Sequence, residues 1–137
     1  MSEPVALIID GPIDRAWLEA AVRTPADGAV VVFEGVIRDH DHGDGVSSLD
    51  YQAHPDAERF LADVCAEVAA AHGLRVAAAH RIGHLEIGDV ALVAVVASAH
   101  RAEAFAACAE LVEQIKTRVP IWKRQNLADG PSEWVGL

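Results

Sequence analysis

Lysine is almost missing from this chain of 137 residues: of its eleven basic side chains, only Lys116 and Lys123 are lysines. Cysteine is also scarce, since the chain has Cys65 and Cys108 and no CxxC spacing. We therefore expect two buried free thiols in a reducing compartment, with a disulfide or a reactive cysteine as the alternative. The sequence predicts no disulfide framework.

Long apolar runs are absent too. The longest, VALVAVVASA at residues 90–99, is about half of the ~20 residues that a membrane helix needs. The N-terminal MSEPVALIIDG has no basic n-region, so we do not expect a secretory signal. A formal net charge of -10 argues against nucleic acid and anionic membranes as partners. These features predict one globular cytoplasmic domain over residues 1–137.

The hydrophobic pattern predicts an α+β fold with three helices. β-Branched and alternating segments indicate strands at 5–10, 29–38, 46–53, 75–82 and 90–99, with short terminal strands in IWKR and EWVG. Helical spacing indicates helices over about 13–23, 55–71 and 101–118, with Trp17 and Phe105 on their apolar faces. The polar, glycine-rich DHDHGDG at 39–45 predicts a loop that does not pack. Hairpin-like joints favour α+β over a parallel sheet.

The few positive charges are concentrated near the C-terminus. Four of the eleven basic residues lie in KTRVPIWKR, residues 116–124. A cation at a helix C-terminus is stabilising by ~0.3–1 kcal/mol, but arginine would serve that purpose equally well. Lysine differs because its amine can lose a proton and act as nucleophile or base. A structural and a chemical role for Lys116 and Lys123 both remain open.

A second candidate site lies at the start of the same predicted helix, in SAHR. A helix N-terminus attracts anions, and His100 and Arg101 there could bind phosphate or carboxylate. The alternative is a histidine bonded to backbone and an arginine in a surface ion pair. Arg38, at the end of the strand FEGVIR, is weaker as a signal. The DHDH of the following loop is more typical of a solvated loop than of a metal site, so we predict no metal.

Taken together in order, several short motifs resemble the molybdopterin synthase catalytic (large) subunit family. They are FEGVIR with a glycine-containing loop after it, HRIG, IGD, SAHR and K-x-x-x-P-x-W-K. The resemblance implies an α/β-hammerhead type of α+β fold with a mixed, mostly antiparallel sheet. It also implies a homodimer whose protomers each bind a small ubiquitin-like sulfur carrier, giving a heterotetramer. The carrier's C-terminal Gly-Gly thiocarboxylate would deliver sulfur to cyclic pyranopterin monophosphate, with no metal or organic cofactor.

The resemblance also implies roles for individual residues. Lys116 matches the family's essential catalytic lysine and Lys123 a second active-site lysine. The implied substrate-binding positions are these two lysines and Phe33, Val36, Ile37, Arg38, His100, Arg101, Arg124 and Gln125. Two departures stand out: Gln125 replaces a common Glu, and YQAH at 51–54 replaces Tyr-Glu-Ala-Tyr.

Two other functions remain open at this point. One is a catalytically inactive paralogue that keeps the dimer and binds pterin and carrier. The other is an unrelated Schiff-base enzyme that uses Lys116, which borohydride trapping with a small carbonyl substrate would reveal.

Overall fold

Two β-sheets and three helices make up the described part of the chain, residues 4–41, 43–130 and 132–137 of a computed structural model. In chain order the elements are β1 (Val5–Ile9), α1 (Arg15–Val22), β2 (Ala29–Val36), β3 (His40–Asp41), β4 (Asp44–Ala53), α2 (Ala57–His72), β5 (Arg75–Arg81), β6 (Gly83–Glu86), β7 (Val90–Ser98), α3 (Arg101–Arg118), β8 (Ile121–Leu127) and β9 (Ser132–Gly136).

The first sheet has the strand order β1-β5-β7-β2, in which β1 and β5 are parallel and the other pairs antiparallel. Its central strand β7 is buried on both faces, as its nearly continuous apolar sequence predicts. Ala94 and Val96 face α2 and α3, whereas Val93 and Val95 face α1. Helices therefore cover both sides of this sheet.

The second sheet is antiparallel, with the order β3-β4-β8-β9 and β6 paired to β4. Its register places Leu49 opposite Gln125 and Tyr51 opposite Lys123. Because side chains alternate along a strand, Lys123 and Gln125 share one face of β8 and Arg124 lies on the other. This alternation decides which residues of β8 reach the site described below.

Local sequence explains where the helices begin and end. Asp14 caps α1 by accepting a hydrogen bond from the Trp17 N–H at 3.0 Å. Gly73 ends α2 in the left-handed conformation, with φ of 64°. Pro120 disfavours a helical conformation at Val119, where α3 stops and the chain turns into β8.

The structure confirms the α+β class, the three helices and all the predicted strands. Both cysteines are buried free thiols, and burial raises the pKa of Cys65 to about 12. In the described ranges no helix is long and apolar enough to cross a membrane.

Several details of the prediction were wrong. Trp17 and Phe105 are 52% and 60% exposed, although helical spacing placed them on apolar faces. The segment 39–45 is not an unpacked loop, because it contributes β3 and the start of a hairpin with β4. The short strand β6 was missed. His42 of the DHDH motif lies outside the described residues.

Candidate active site

A cleft of about 340 Å³ opens where the two sheets meet. The end of β2, the β3 hairpin, the inner face of β4 and β8, and the ends of β5 and α3 all line it. Its apolar wall includes Phe33, Val36 and Ile37, and its polar side chains are Glu34, Arg38, His40, Asp41, Tyr51, His80, Lys116, Lys123 and Gln125.

The two lysines of the chain meet in this cleft. Lys116 is exposed in the last turn of α3, and Lys123 is half-buried in β8. The proline break between helix and strand reverses the chain, so residues seven apart in sequence reach the same cavity. Burial lowers the pKa of Lys123, Asp41 opposes this, and Lys116 and Arg38 lower it further.

A hydrogen-bonded chain links β8 to the β3 hairpin and to Arg38. Gln125, only 1% exposed, donates from its side-chain amide to the Asp41 carboxylate at 2.8 Å. The same carboxylate accepts a hydrogen bond from the Arg38 guanidinium at 3.1 Å. Asp41 therefore holds Arg38 at the cleft and satisfies the polar group of a buried glutamine.

A buried histidine forms part of the cleft wall beneath Lys116. His80 is 2% exposed, and its Nδ1 lies 2.8 Å from the carbonyl oxygen of Arg81. Its ring packs against the Tyr51 ring in a T-shaped arrangement, with the two ring centroids 5.0 Å apart. Burial lowers the pKa of His80 to about 4, and the charge of Lys116 contributes. Burial also raises the pKa of Tyr51 to about 12. Both groups are therefore neutral at neutral pH.

Sequence reasoning gave His80 and Asp41 no role. A single histidine in the alanine-rich RVAAAHRI is as typical of a strand core as of a site. Asp41 lies in a stretch that was taken for an unpacked loop. Two signals pointed to His80: an ionisable side chain interrupts an apolar strand, and the residue begins the HRIG motif.

Of the ten predicted site residues, seven lie together in the cleft: Phe33, Val36, Ile37, Arg38, Lys116, Lys123 and Gln125. Arg124 points to the opposite face of β8, where it bonds Asp50 at 3.2 Å and lies over the Trp134 ring. His100 and Arg101 lie at the other end of α3 from Lys116. Fifteen residues along α3 correspond to roughly 22 Å, so the two ends do not meet within one protomer.

The described residues contain no group of three or more His, Cys, Asp or Glu side chains that could hold a metal ion. The cleft combines three cations, the carboxylates of Glu34 and Asp41 and a neutral histidine around a partly apolar cavity. Such a site is suited to an enzyme that binds a small anionic substrate with an apolar or heterocyclic body.

Comparison with known proteins gives the family. The sequence profile of the MoaE protein family matches residues 8–118, and the chain belongs to this family. It is 42% identical over 135 residues to the molybdopterin synthase catalytic subunit 1 of Mycobacterium tuberculosis, with 97% of this chain and 91% of that protein covered.

Solved structures agree in fold. The molybdopterin synthase crystal structure from Staphylococcus aureus superposes with a TM-score of 0.89 at 36% identity, covering 100% of this chain and 99% of that one. A complex of subunits 1 and 2 of the molybdopterin-converting factor from Helicobacter pylori gives a TM-score of 0.71 at 23% identity, covering 95% and 88%. That second likeness concerns the fold alone.

Proposed function

We propose that this chain is the catalytic subunit of a molybdopterin synthase. In this function it takes sulfur from the C-terminal thiocarboxylate of a small carrier subunit and transfers it to cyclic pyranopterin monophosphate. Two transfers produce the dithiolene of molybdopterin. The observation that supports the proposal is the convergence of Arg38, Lys116 and Lys123 on one cleft in a member of this family.

The charges of the two reactants explain why the cleft needs several cations. The substrate carries a phosphate and the carrier ends in a thiocarboxylate, so two anions must approach each other. At 4 Å and an effective dielectric constant of 20, two unit charges interact by about 4 kcal/mol. Three cations around the cleft offset this repulsion, in a protein whose formal net charge is -10.

The two lysines are assigned different roles because their surroundings differ. Lys123, half-buried near Asp41 and Arg38, anchors the anionic part of the substrate or the carrier terminus. Lys116, exposed at the end of α3, can reach the reacting atoms and move a proton.

The balance of the reaction shows where protons must move. Each carrier transfers its sulfur to a substrate carbon, and water hydrolyses the acyl–sulfur bond, so that the carrier leaves as a carboxylate. Each new C–S bond displaces an oxygen from its carbon: one leaves as the phosphate oxygen and the other as water. The cyclic phosphate opens to a monoester. Both the hydrolysis and the ring opening require proton transfer, which is the step assigned to Lys116.

His100 and Arg101 fit this function only through a second copy of the chain. They lie roughly 22 Å from Lys116 along α3, farther than one small substrate spans. We therefore assign them to the cleft of the partner protomer in a homodimer, where the helix N-terminus and Arg101 bind phosphate. With one carrier on each protomer, the assembly is a heterotetramer.

The reaction is placed in the cytoplasm, where thiols stay reduced. Cys65 and Cys108 are both buried and unpaired in the structure, as expected for a protein of a reducing compartment.

Reconstitution tests the proposed function directly. The protein is mixed with thiocarboxylated carrier and cyclic pyranopterin monophosphate, and the dithiolene product is measured. Product that depends on all three components supports the proposal. Binding of both ligands without product would instead identify the inactive paralogue. A borohydride-trapped adduct with a small carbonyl compound, formed without carrier, would identify the Schiff-base enzyme.

A further inference from the structure

The histidine in the cleft wall has no place in the function proposed so far. His80 lies near the end of β5, on the same face as Val76 and Ala78, which pack toward α2 and α3. The Tyr51 ring holds one side of the imidazole, and Lys116 is near enough to affect its ionisation. The three side chains line the same cavity.

The hydrogen bond of His80 fixes which of its nitrogens carries the proton. A carbonyl oxygen only accepts, so the 2.8 Å contact with the Arg81 carbonyl requires an N–H at Nδ1. A neutral imidazole with its proton on Nδ1 has a free lone pair on Nε2. Burial keeps the ring neutral, because it lowers the pKa of His80 to about 4.

Nε2, the nitrogen that does not contact Arg81, is therefore an acceptor in a fixed position. No described residue forms a hydrogen bond with His80 Nε2, and the inner nitrogen is already engaged. Nε2 is not fully buried, so the cleft reaches it. A lone pair held in a fixed position at a cleft is complementary to a ligand that donates a hydrogen bond there. The low basicity of the ring suits it to accept a hydrogen bond rather than to remove a proton at neutral pH.

We propose that His80 is a substrate-recognition residue whose Nε2 accepts a hydrogen bond from an N–H or O–H of the heterocyclic part of the ligand. Arg38 and Lys123 bind the anionic part, and Lys116 keeps its role in proton transfer. This assignment of the two parts of the ligand to different residues rests on the proposed function, because the substrate of that reaction combines a phosphate with a ring system rich in N–H groups. A cleft with cations alone would bind phosphate but would not distinguish the ring.

Two substitutions separate the roles of the two nitrogens. His80→Asn keeps an amide near the position of Nδ1, able to donate to Arg81, and removes the acceptor at Nε2. His80→Gln does the reverse, since its longer side chain places an amide oxygen near Nε2. Thermal unfolding of both variants establishes that they are folded.

The dissociation constants for cyclic pyranopterin monophosphate and for inorganic phosphate are then measured by calorimetry. We expect His80→Asn to weaken binding of the pterin by about tenfold, as for the loss of one neutral hydrogen bond. Binding of phosphate should stay within about twofold, and His80→Gln should recover most of the pterin affinity. Unchanged pterin affinity in His80→Asn, or equal losses for both ligands, would overturn the proposal. A fall in kcat with unchanged affinity would also overturn it, because His80 would then act through Lys116.

A measurement on the unsubstituted protein avoids any effect of substitution on folding. The ¹⁵N chemical shift of His80 Nε2 should be that of an unprotonated nitrogen, and it should change when the pterin binds but not when phosphate binds. No change with the pterin would contradict the assignment. The reconstitution assay of the unsubstituted protein tests the function separately, so the two ideas can fail independently.

Discussion

Each of the two lysines in the cleft has its own electrostatic environment. Lys116 is exposed at the end of a helix, whereas Lys123 is half-buried and has a lowered pKa because of burial and its cationic neighbours. The sequence left a chemical role open for both lysines, and the family resemblance favoured Lys116 as the catalytic one. In the proposed function Lys116 moves the proton, whereas burial lowers the pKa of Lys123.

Substitution of Lys116 distinguishes chemistry from counter-charge. Lys116→Arg keeps the charge and its interaction with the helix dipole but removes an amine that can deprotonate. We expect most turnover to be lost while binding of substrate and carrier stays within a few-fold. Single-turnover rates and separate binding measurements check this. If arginine restores most of the activity that Lys116→Ala loses, Lys116 is only a counter-charge.

The lowered pKa of Lys123 predicts the pH dependence of anion binding. As the pH rises, Lys123 loses its proton earlier than an ordinary lysine, and the cleft loses one cation. Phosphate affinity should therefore weaken on the alkaline side, and Lys123→Arg should move this weakening to higher pH because guanidinium stays charged. Calorimetry across pH 7–10 measures it. Arg124→Gln is the matched control, since Arg124 faces away from the cleft; a similar change in that variant would contradict the assignment.

Gln125 allows a test of the buried hydrogen bond to Asp41. Gln125→Glu would set two carboxylates at the 2.8 Å contact, so one of them must take up a proton. The pKa of that carboxyl is therefore higher in the folded state than in the unfolded state. The folded state loses stability as the pH rises through this pKa, because the carboxyl must then ionise beside its neighbour. We expect the variant to be less stable than the parent by about 1–3 kcal/mol at pH 8 and nearer to it at pH 5.

Denaturant unfolding at the two pH values provides the measurement for Gln125→Glu. Adding Asp41→Asn to it should remove the pH-dependent difference, because only one carboxyl then remains. A difference that is the same at both pH values would show that the two carboxyls do not meet. Activity should survive at low pH, where the pair is singly protonated.

At the scale of elements, the sequence pattern predicted those features that depend on neighbouring residues in the chain, such as strand burial and helix ends. The apolar continuity of β7 and the proline after α3 correctly marked a buried strand and a helix end. The resemblance grouped residues 123–125, whereas strand alternation places Arg124 on the other face of β8, so its substrate contact stays a prediction. The role of His80 depends on the packing of β5 against Tyr51 and α3, and no local pattern contains that contact. Trp17 and Phe105 had helical spacing but lie outside the core.

The length of α3 makes the proposed homodimer testable by mixing two inactive variants. Arg101→Ala removes the basic side chain at the start of α3, and Lys116→Ala removes the one in its last turn. If each site combines Lys116 of one copy with Arg101 of the other, a mixed dimer has one intact site and one doubly altered site. After unfolding and refolding an equimolar mixture, activity should return to about a quarter of the parent level, because half of the dimers are mixed.

The control for this experiment is a mixture of two variants altered at the same end, Lys116→Ala and Lys123→Ala, provided each is inactive alone. Both residues line the cleft of one protomer, so every mixed dimer retains one defect in each site. Recovery in this control, or no recovery in the first mixture, would contradict the shared site.

At the scale of the whole molecule, an acidic protein gathers three cations at one cleft, beside the carboxylates of Glu34 and Asp41. The formal net charge of -10 repels anions in general, so a carrier tail that ends in an anion must be attracted at a specific place. In the proposed function that place is the cleft, because Arg38, Lys116 and Lys123 are adjacent to one cavity. An extended tail that ends in an anion can gain main-chain hydrogen bonds on the way in and a charged contact at its end.

We therefore expect affinity for the carrier to depend on the last residues of its tail. A carrier without its two C-terminal glycines should bind at least about tenfold more weakly, which corresponds to about 1.4 kcal/mol. A full-length carrier with a C-terminal amide keeps the tail but loses the terminal charge. The affinity of this amide carrier should lie between those of the intact and the truncated carriers. Its binding should respond less to salt than that of the intact carrier, because salt screens charge interactions and the amide has lost one charge. Calorimetry at two salt concentrations measures all three. Equal affinity for the intact and truncated carriers would show that the tail does not enter the cleft, and that the cations serve the substrate alone.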